Sequence, residues 1–365
     1  MRIVQLIDSL EPGGAERMAV NYANMLSETI AFSSLVTTRQ EGALKEELLP
    51  GVFYLFLKKK HTFDFGAVFR LRHFIKKHKI ALIHAHSSSF FMAVMTKLIY
   101  PRVKIIWHDH YGNSNFLEQR NASVLKWASI FFAGIISVNK ALKNWSIAQL
   151  HCNQIGVLPN FVVEEKVGVV ENTLKGTDGK RIIMVANLRP QKDHFFLIAI
   201  ADTLRKYDPD WSFHLIGKDF EDAYADRIKK EIRDKKLENS IFIYGAQNKT
   251  AVSVAASDIA ILTSESEGLP LALLEYGIHS KAVICTDVGD VSDVIHSGKN
   301  GYLVPHGDIP TFVKRLIELM EDVESRRNFG LQLHKEVINN YSVSAVFQSY
   351  VDFITPIVDN QANAK

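Results

Sequence analysis

Short apolar runs alternate with helix-period stretches along most of this 365-residue chain, and that alternation restricts the fold more than any other feature. RIVQLI, FSSLVTT, VFYLFL, IALIHAH, VKIIWH, GIISV and IGVLP have the length and β-branched content of buried strands. Helices are expected between them at roughly 15–27, 66–78, 89–99, 119–131 and 139–149. Strands separated by helices pair in parallel through right-handed crossovers. A second series begins at RIIMVA and runs through FHLIG, IFIYG, DIAILT, AVICT and GYLVP. Beyond about residue 308 the pattern is helical throughout. Residues 161–179, FVVEEKVGVVENTLKGTDG, gather Gly, Asn, Thr and Asp and read as a linker. The expectation is an α/β protein of two domains, 1–162 and 180–341, each with a parallel sheet.

Composition narrows the function classes. At 47% hydrophobic and 23% charged the chain buries a core and is not disordered. A formal charge of +3 is too small for a nucleic-acid partner. Two cysteines, Cys152 and Cys285, lack metal-ligand spacing and suit a reducing compartment as buried, inert thiols. MRIVQLIDSLEPGG lacks the apolar core of a secretion signal, and no apolar run reaches about 18 residues. The expected location is the cytoplasm.

Ligands of open parallel α/β sheets sit outside the carboxyl ends of the strands. The stretch SESEGLPLALLEYG, residues 264–277, follows the strand DIAILT at such an end. It enters a helix with Pro270 at or near the first position, where a missing N–H costs nothing. Gly268 lets backbone approach a ligand, and the N–H groups of Leu269, Leu271 and Ala272 favour an anion. Glu267 precedes the helix. Glu275 lies inside it, beside Leu271 and Leu274 on the stripe completed by Ile278. A carboxylate there is costly unless a donor meets it. A nucleotide diphosphate with a sugar at each end satisfies both features: the helix start takes phosphate and each Glu takes hydroxyls. The plainer reading is a capping acid and an edge-of-core Glu with a Lys partner.

The Glu–seven residues–Glu spacing, with its Ser-rich strand end and the following AVICTDVGDVSDVI, resembles the signature of the retaining GT-B glycosyltransferases of family 4. The resemblance covers nearly the whole chain. It implies two Rossmann-like domains with a cleft between them and a last helix, about 342–358, crossing back to the first domain. It implies transfer of a sugar from a UDP- or GDP-linked donor to an acceptor hydroxyl in polysaccharide or lipid-linked glycan synthesis, with no cofactor. Glu275 would hold the ribose hydroxyls. Glu267 would contact the donor sugar, and the backbone of Gly268, Leu269, Pro270 and Leu271 would hold sugar or phosphate.

Other strand ends carry weaker signals. DSLEPGGAER places Gly13 and Gly14 before a helix, without the dinucleotide fingerprint. The resembled family has a Gly-Gly loop here near donor phosphates and acceptor. His84 and His86 share one face of a strand, with no third metal ligand at convincing spacing, and read as packing residues. His86 could border the cleft. In VKIIWHDHYGN, His108 ends the strand and Asp109, His110, Tyr111, Gly112 and Asn113 form a polar loop. The resemblance implies a catalytic-centre histidine here, assigned to His108 first and His110 second. A His-Asp-His chelate is the rival. Arg189 and Lys192 after RIIMVA suit a diphosphate whose charge grows as it leaves. The family has an Arg and a Lys near this spacing, but its usual glycine after the Lys is here Asp193. Gly217 and Gly245 end their strands and could admit the nucleotide, with Gly245, Ala246 and Gln247 nearest the base. Asp208-Pro-Asp210 looks like a metal motif but reads as a turn. Ser264 and Ser266 lack the G-x-S-x-G elbow of a hydrolase. No metal site is assigned.

Residues 65–79, FGAVFRLRHFIKKHK, place Val68, Leu71, Phe74, Ile75 and His78 on one helical side. Arg70, Arg72, His73, Lys76, Lys77 and Lys79 cover the other. With Lys58, Lys59, Lys60 and His61 just before, this face suits peripheral contact with an anionic membrane, at its cytoplasmic side. Alternatives to a transferase are a nucleotide-sugar epimerase of similar fold and a non-catalytic two-domain sugar-binding protein.

Overall fold

The computed structural model describes residues 1–164, 174–247 and 249–359. Its contacts divide the chain into two units. Met1–Phe161 joins the C-terminal segment from Val343, and Val162–Ser342 forms the other. Every run read above as a strand is one. The central stretch of the expected linker, 165–173, lies outside the described residues.

In the first unit β1 (Arg2–Ile7), β2 (Phe32–Thr37), β3 (Val52–Phe56), β4 (Leu82–His86), β5 (Lys104–Asp109), β6 (Gly134–Ser137) and β7 (Ile155–Val157) form one parallel sheet in the order β3-β2-β1-β4-β5-β6-β7. The order reverses between β1 and β4, which is where such sheets open a ligand crevice. One face is apolar: Val4, Leu6, Ile83, Ala85, Ile105 and Trp107 pack with Val68, Leu71 and Ile75 of the helix Phe65–Lys77. The opposite face is unusually polar, with Gln5, His84, His86 and His108 all buried beside Tyr22 and Tyr350. The helical stretch expected near 119–131 is shorter, a 3-10 turn at Ser114–Gln119 and a helix at Ser123–Ala128.

The last helix, Val343–Asp359, belongs to this first unit. Two glycines of the sheet make its seat. A Cβ on Gly134 would fall 2.8 Å from Ile357 Cδ1, and one on Gly156 would fall 2.8 Å from Phe353 Cε2. Tyr350 and Ile354 are fully buried, and Gln154 Nε2 donates to the Phe353 carbonyl at 2.8 Å.

In the second unit β8 (Arg181–Val185), β9 (Ser212–Ile216), β10 (Ile241–Gly245), β11 (Ile259–Leu262), β12 (Ala282–Thr286) and β13 (Tyr302–Val304) form a parallel sheet in the order β10-β9-β8-β11-β12-β13. The reversal lies between β8 and β11, and these two strands pair only at Ile182 and Ile183. Beyond that register the Val185 N–H donates to Tyr276 Oη at 2.6 Å, so a side chain takes the place of the ladder.

Tyr276 belongs to the helix Leu271–Ile278, whose burial differs from the expected stripe. Leu273, Leu274 and Tyr276 are fully buried, Leu271 lies at the margin, and Ile278 is half-buried. The helix is covered on a second side by the helix Val323–Tyr341, where a Cβ on Gly277 would meet Val337 Cγ2 at 2.5 Å. Glu275 accordingly sits half-exposed beside the stripe. Cys285 is buried in β12 and Cys152 only half-buried; both thiols are free.

Candidate active site

In the second unit the candidate residues gather past β8, β10 and β11. After β8 a 3-10 turn, Pro190–Lys192, is laced to the loop after β11. Thr263 Oγ1 donates to the carbonyls of Lys192 at 3.0 Å and Asp193 at 3.1 Å, and the Glu265 N–H donates to the Gln191 carbonyl at 2.9 Å. This brings Lys192 Nζ to 2.5 Å from Glu267 Oε1, which also accepts from Ser264 Oγ at 2.6 Å. Glu267 is only 5% exposed, so the pair is largely desolvated. Arg189 is exposed, its guanidinium 4.5 Å from the centre of the Phe220 ring.

Asp193 has φ +43, a left-handed conformation that a glycine adopts without strain. Asp tolerates it here because its side chain is used twice. It caps the helix His194–Leu204 by accepting from the Phe196 N–H at 3.1 Å, and it meets His306 Nε2 at 2.8 Å. The departure from the family's glycine therefore preserves the turn.

The loop from Glu267 reaches the helix Leu271–Ile278 through Pro270, which is its N-cap. The first N–H groups of a helix have no intrahelical acceptor, and this helix start follows β11, one of the two strands at the reversal. Gly289, at φ +58, packs on the loop: a Cβ there would fall 2.2 Å from the Glu267 carbonyl oxygen. The Asp290 N–H donates to the Gly268 carbonyl at 3.1 Å. Sequence reasoning noticed the TDVGD run without giving its glycine this task.

Glu275 Oε2 accepts from Thr250 Oγ1 at 3.3 Å. Gln247 Oε1 accepts from Ser253 Oγ at 2.6 Å. The loop after β10 is thereby tied to Glu275 through the short helix Thr250–Ala255. Gly245 has φ +73 with open space where a Cβ would stand, and Ala246 is exposed. At Gly217 a Cβ would lie 2.0 Å from the Ala186 carbonyl oxygen, so the close approach of the segment after β8 already requires a glycine there. Asp208 and Asp210 share Lys180 Nζ at 3.0 Å each, as a salt-bridged turn.

In the first unit Gly13 and Gly14 begin the helix Gly14–Ser27 after β1. On β4 and β5, and just past the end of β5 at His110, lies a column of imidazoles. The parallel register sets His108 opposite His86, which sequence spacing could not foresee. His84, His86 and His108 thus bring ring nitrogens within 4.8 Å of one another, correcting the expectation that the first two lack a third neighbour. These nitrogens bond mainly to each other and to nearby side chains. His84 Nδ1 meets Tyr350 Oη at 3.1 Å and His84 Nε2 meets His108 Nδ1 at 3.1 Å. His86 Nε2 meets Gln5 Oε1 at 2.8 Å and His86 Nδ1 meets His110 Nε2 at 2.9 Å. Burial, reinforced by neighbouring imidazoles, holds His84, His86 and His108 well below the ordinary histidine range, and burial pulls His110 down to about 3. His108, the first choice for a ligand-facing histidine, is fully buried; His110 retains exposed surface.

Asp109, read above as part of a polar loop, is also buried. It accepts two hydrogen bonds from Arg120, from Nη1 at 2.7 Å and Nη2 at 2.9 Å. The guanidinium lies 4.3 Å from the Tyr111 ring centre and 4.2 Å from that of Trp145.

Comparison with known families decides what these strand-end clusters belong to. The family described as Glycosyltransferase Family 4 matches residues 12–166, and that described as Glycosyl transferases group 1 matches residues 170–335. The chain belongs to the family 4 glycosyltransferases. This glycosyltransferase is 23% identical over 255 residues to the poly(ribitol-phosphate) alpha-N-acetylglucosaminyltransferase of Staphylococcus aureus strain COL. That match takes in 69% of the present chain and only 50% of the relative. It is also 23% identical over 316 residues to the UDP-Gal:alpha-D-GlcNAc-diphosphoundecaprenol alpha-1,3-galactosyltransferase of Escherichia coli, covering 80% of each. Its fold matches a crystal structure of S. aureus TarM in complex with UDP, with a TM-score of 0.80, 15% identity and coverage of 97% and 99% of the two chains. The glycosyltransferase thus has the GT-B architecture of two Rossmann-like parallel-sheet domains. No helix among its described residues is long and apolar enough to cross a membrane.

Proposed function

We propose that this glycosyltransferase moves a sugar from a UDP-sugar to a hydroxyl of a glycan or lipid-linked acceptor, with retention at the anomeric carbon and without a divalent metal. The observation that carries the reading is the Lys192–Glu267 pair at the head of the helix Leu271–Ile278, where β8 and β11 diverge. A cation and a helix N-terminus at one point suit a departing diphosphate. A carboxylate accepts sugar hydroxyls and disfavours phosphate. Arg189 supplies a second, exposed cation. UDP in the TarM complex and UDP-Gal in the name of the E. coli relative favour uridine over guanosine, and diphosphoundecaprenol in that name supports a lipid-linked acceptor. Retention is the chemistry of the resembled family. Incubation with a panel of UDP-sugars and glycan or lipid-linked acceptors tests the reading through acceptor-dependent release of UDP. An epimerase changes the sugar without any acceptor, and a binding protein releases nothing.

Glu275 is assigned to the ribose. Glu275→Ala is expected to weaken binding of UDP itself by about 1.5–3 kcal/mol, the worth of a hydrogen bond to a charged group. Titration calorimetry with UDP checks this, and unchanged affinity would remove Glu275 from the nucleotide site.

The role of a metal falls to Lys192, Arg189 and the helix N-terminus. Asp208 and Asp210 are held by Lys180. Turnover is expected to be unaffected by a chelator. Loss of activity that magnesium or manganese restores would return the acidic or histidine clusters to consideration.

The lipid-linked acceptor is reached through peripheral contact with anionic membrane by the helix Phe65–Lys77. Its apolar stripe is buried against the sheet, and His73, Lys76, Lys77 and Lys79 are exposed. Phe65 and Phe69, 60% and 57% exposed, add aromatic surface on that helix. Some basic residues serve the fold instead: Arg70 Nε donates to the Leu57 carbonyl at 3.0 Å, Arg72 Nε to the Ile99 carbonyl at 3.3 Å, and Lys59 is buried. Each exposed cation contributes about 1 kcal/mol near an anionic surface. Co-sedimentation should be salt-sensitive on anionic vesicles and absent on neutral ones, and should weaken when Lys76 and Lys77 become Ser. No binding to anionic vesicles at low salt would remove the membrane from the proposal.

A further inference from the structure

Arg189 stands immediately before the turn Pro190–Lys192 and is exposed. Its side chain makes no hydrogen bond or ion pair among the described residues. What it meets is a ring, with the guanidinium carbon 4.5 Å from the centre of Phe220. A long exposed cation spreads over many rotamers, and binding a ligand costs it that freedom. Contact with an aromatic face removes part of the cost in advance and consumes no N–H donor. The ring is itself held in place. Phe220 is half-buried in the loop after β9, and that loop is laced to the segment after β8. The Leu188 N–H donates to the Lys218 carbonyl at 3.0 Å, and the Lys218 N–H donates to Asn187 Oδ1 at 2.7 Å. On the other side Asp219 Oδ2 meets Lys229 Nζ at 2.5 Å, which ties the loop to the helix Ala223–Asp234.

We infer that Phe220 is a positioning residue that holds the Arg189 guanidinium, through its ring face, for the diphosphate of the nucleotide. The inference rests on the UDP-sugar reading above and concerns the second unit alone. Phe220 acts through Arg189, since its side chain has no polar atom to offer a phosphate. A carboxylate in the ring's place would also hold Arg189, but it would take up the donors and repel a diphosphate. Two acids of the same loop are occupied elsewhere: Asp219 with Lys229, and Asp222 in capping the helix Ala223–Asp234 by accepting from the Tyr224 and Ala225 N–H groups at 3.0 Å each. Lys218 Nζ lies 5.7 Å from the same ring centre, so the ring faces two cations.

A double-mutant cycle tests it, by titration calorimetry of the full-length chain with UDP on Phe220→Leu, Arg189→Gln and the double variant. Arg189→Gln should weaken UDP about tenfold or more, the loss of a hydrogen bond from a charged group. Phe220→Leu should weaken UDP about twofold to fivefold, the worth of an exposed cation–ring contact. In the Arg189→Gln background the same change should have no further effect. Phe220→Tyr, which keeps the ring face, should bind UDP as the wild type does. A loss that persists without Arg189 would show packing and not positioning, and overturns the inference. Unchanged UDP affinity in Phe220→Leu also overturns it. Phe220→Met carries the same comparison if the Leu variant does not fold. A wild-type chain that binds no UDP overturns the donor reading itself. An Arg189→Gln variant that binds UDP as well as the wild type removes Arg189 from that reading, and the role of Phe220 falls with it.

Discussion

Replacing Arg120 by Met is expected to destabilise the first unit by about 3–5 kcal/mol, the cost of leaving one member of a buried ion pair without its partner. Asp109 is 1% exposed and sits at the end of β5, bound by two guanidinium hydrogen bonds. Burial raises its pKa, opposed by Arg120 and the Tyr111 N–H. Removing Arg120 deletes the larger opposing contribution. The pH dependence then has a definite sign. A carboxyl whose folded pKa exceeds its unfolded value makes the folded state bind more protons, so stability falls as pH rises through that interval. The deficit of Arg120→Met should therefore shrink as pH is lowered from 7 toward 5. Urea unfolding followed by tryptophan fluorescence reports it, since Trp107 and Trp145 lie within ring–cation distance of Arg120. A deficit independent of pH would show that Asp109 is not the group left exposed to the change.

Glu267→Gln should lower turnover by about 10²–10³-fold, the range for deleting one preorganised electrostatic contact at a reacting centre. It should not weaken UDP. Lys192 is held 2.5 Å from Glu267, so neutralising the carboxylate releases the ammonium toward the diphosphate, and affinity for UDP should stay level or rise. This separates Glu267 from Glu275, whose bond to Thr250 lies on the β10 side of the unit. Steady-state kinetics beside calorimetry with UDP make the comparison. Equal losses of UDP affinity in the two variants would end the division between sugar-binding and ribose-binding carboxylates.

What could be read from the sequence was the part encoded by local period and local spacing. Each strand announced itself as an apolar run, and the Gly13–Gly14 turn, Arg189, Lys192 and Glu267 stand at strand ends or helix starts that chain order determines, with Glu275 inside the helix that follows. Contacts set by register or by distant segments stayed hidden. His108 meets His86 because β4 and β5 align at that residue, 22 positions apart along the chain. Arg120 reaches Asp109 across a loop whose shape no periodicity encodes. Gly217 read as a glycine that lets something approach closely, and the sequence could not name Ala186 as that neighbour. Nothing in the local pattern singles out Tyr276, although its hydroxyl completes the hydrogen bonding of Val185. Asp193 occupies a glycine's conformation because its carboxylate caps the helix that follows it and meets His306, a partner more than a hundred residues further along the chain.

The seat of the last helix on Gly134 and Gly156 has a consequence for the order of events at the ribosome. Domains of a nascent chain normally fold as they emerge, the N-terminal one first. Here Tyr350, Ile354 and Ile357 fill the floor of the first unit and Tyr350 holds His84, yet they are translated after the whole of the second unit. The part of the molecule made first is completed last. Until that helix has been made, the polar face carrying the imidazole column stands without its cover.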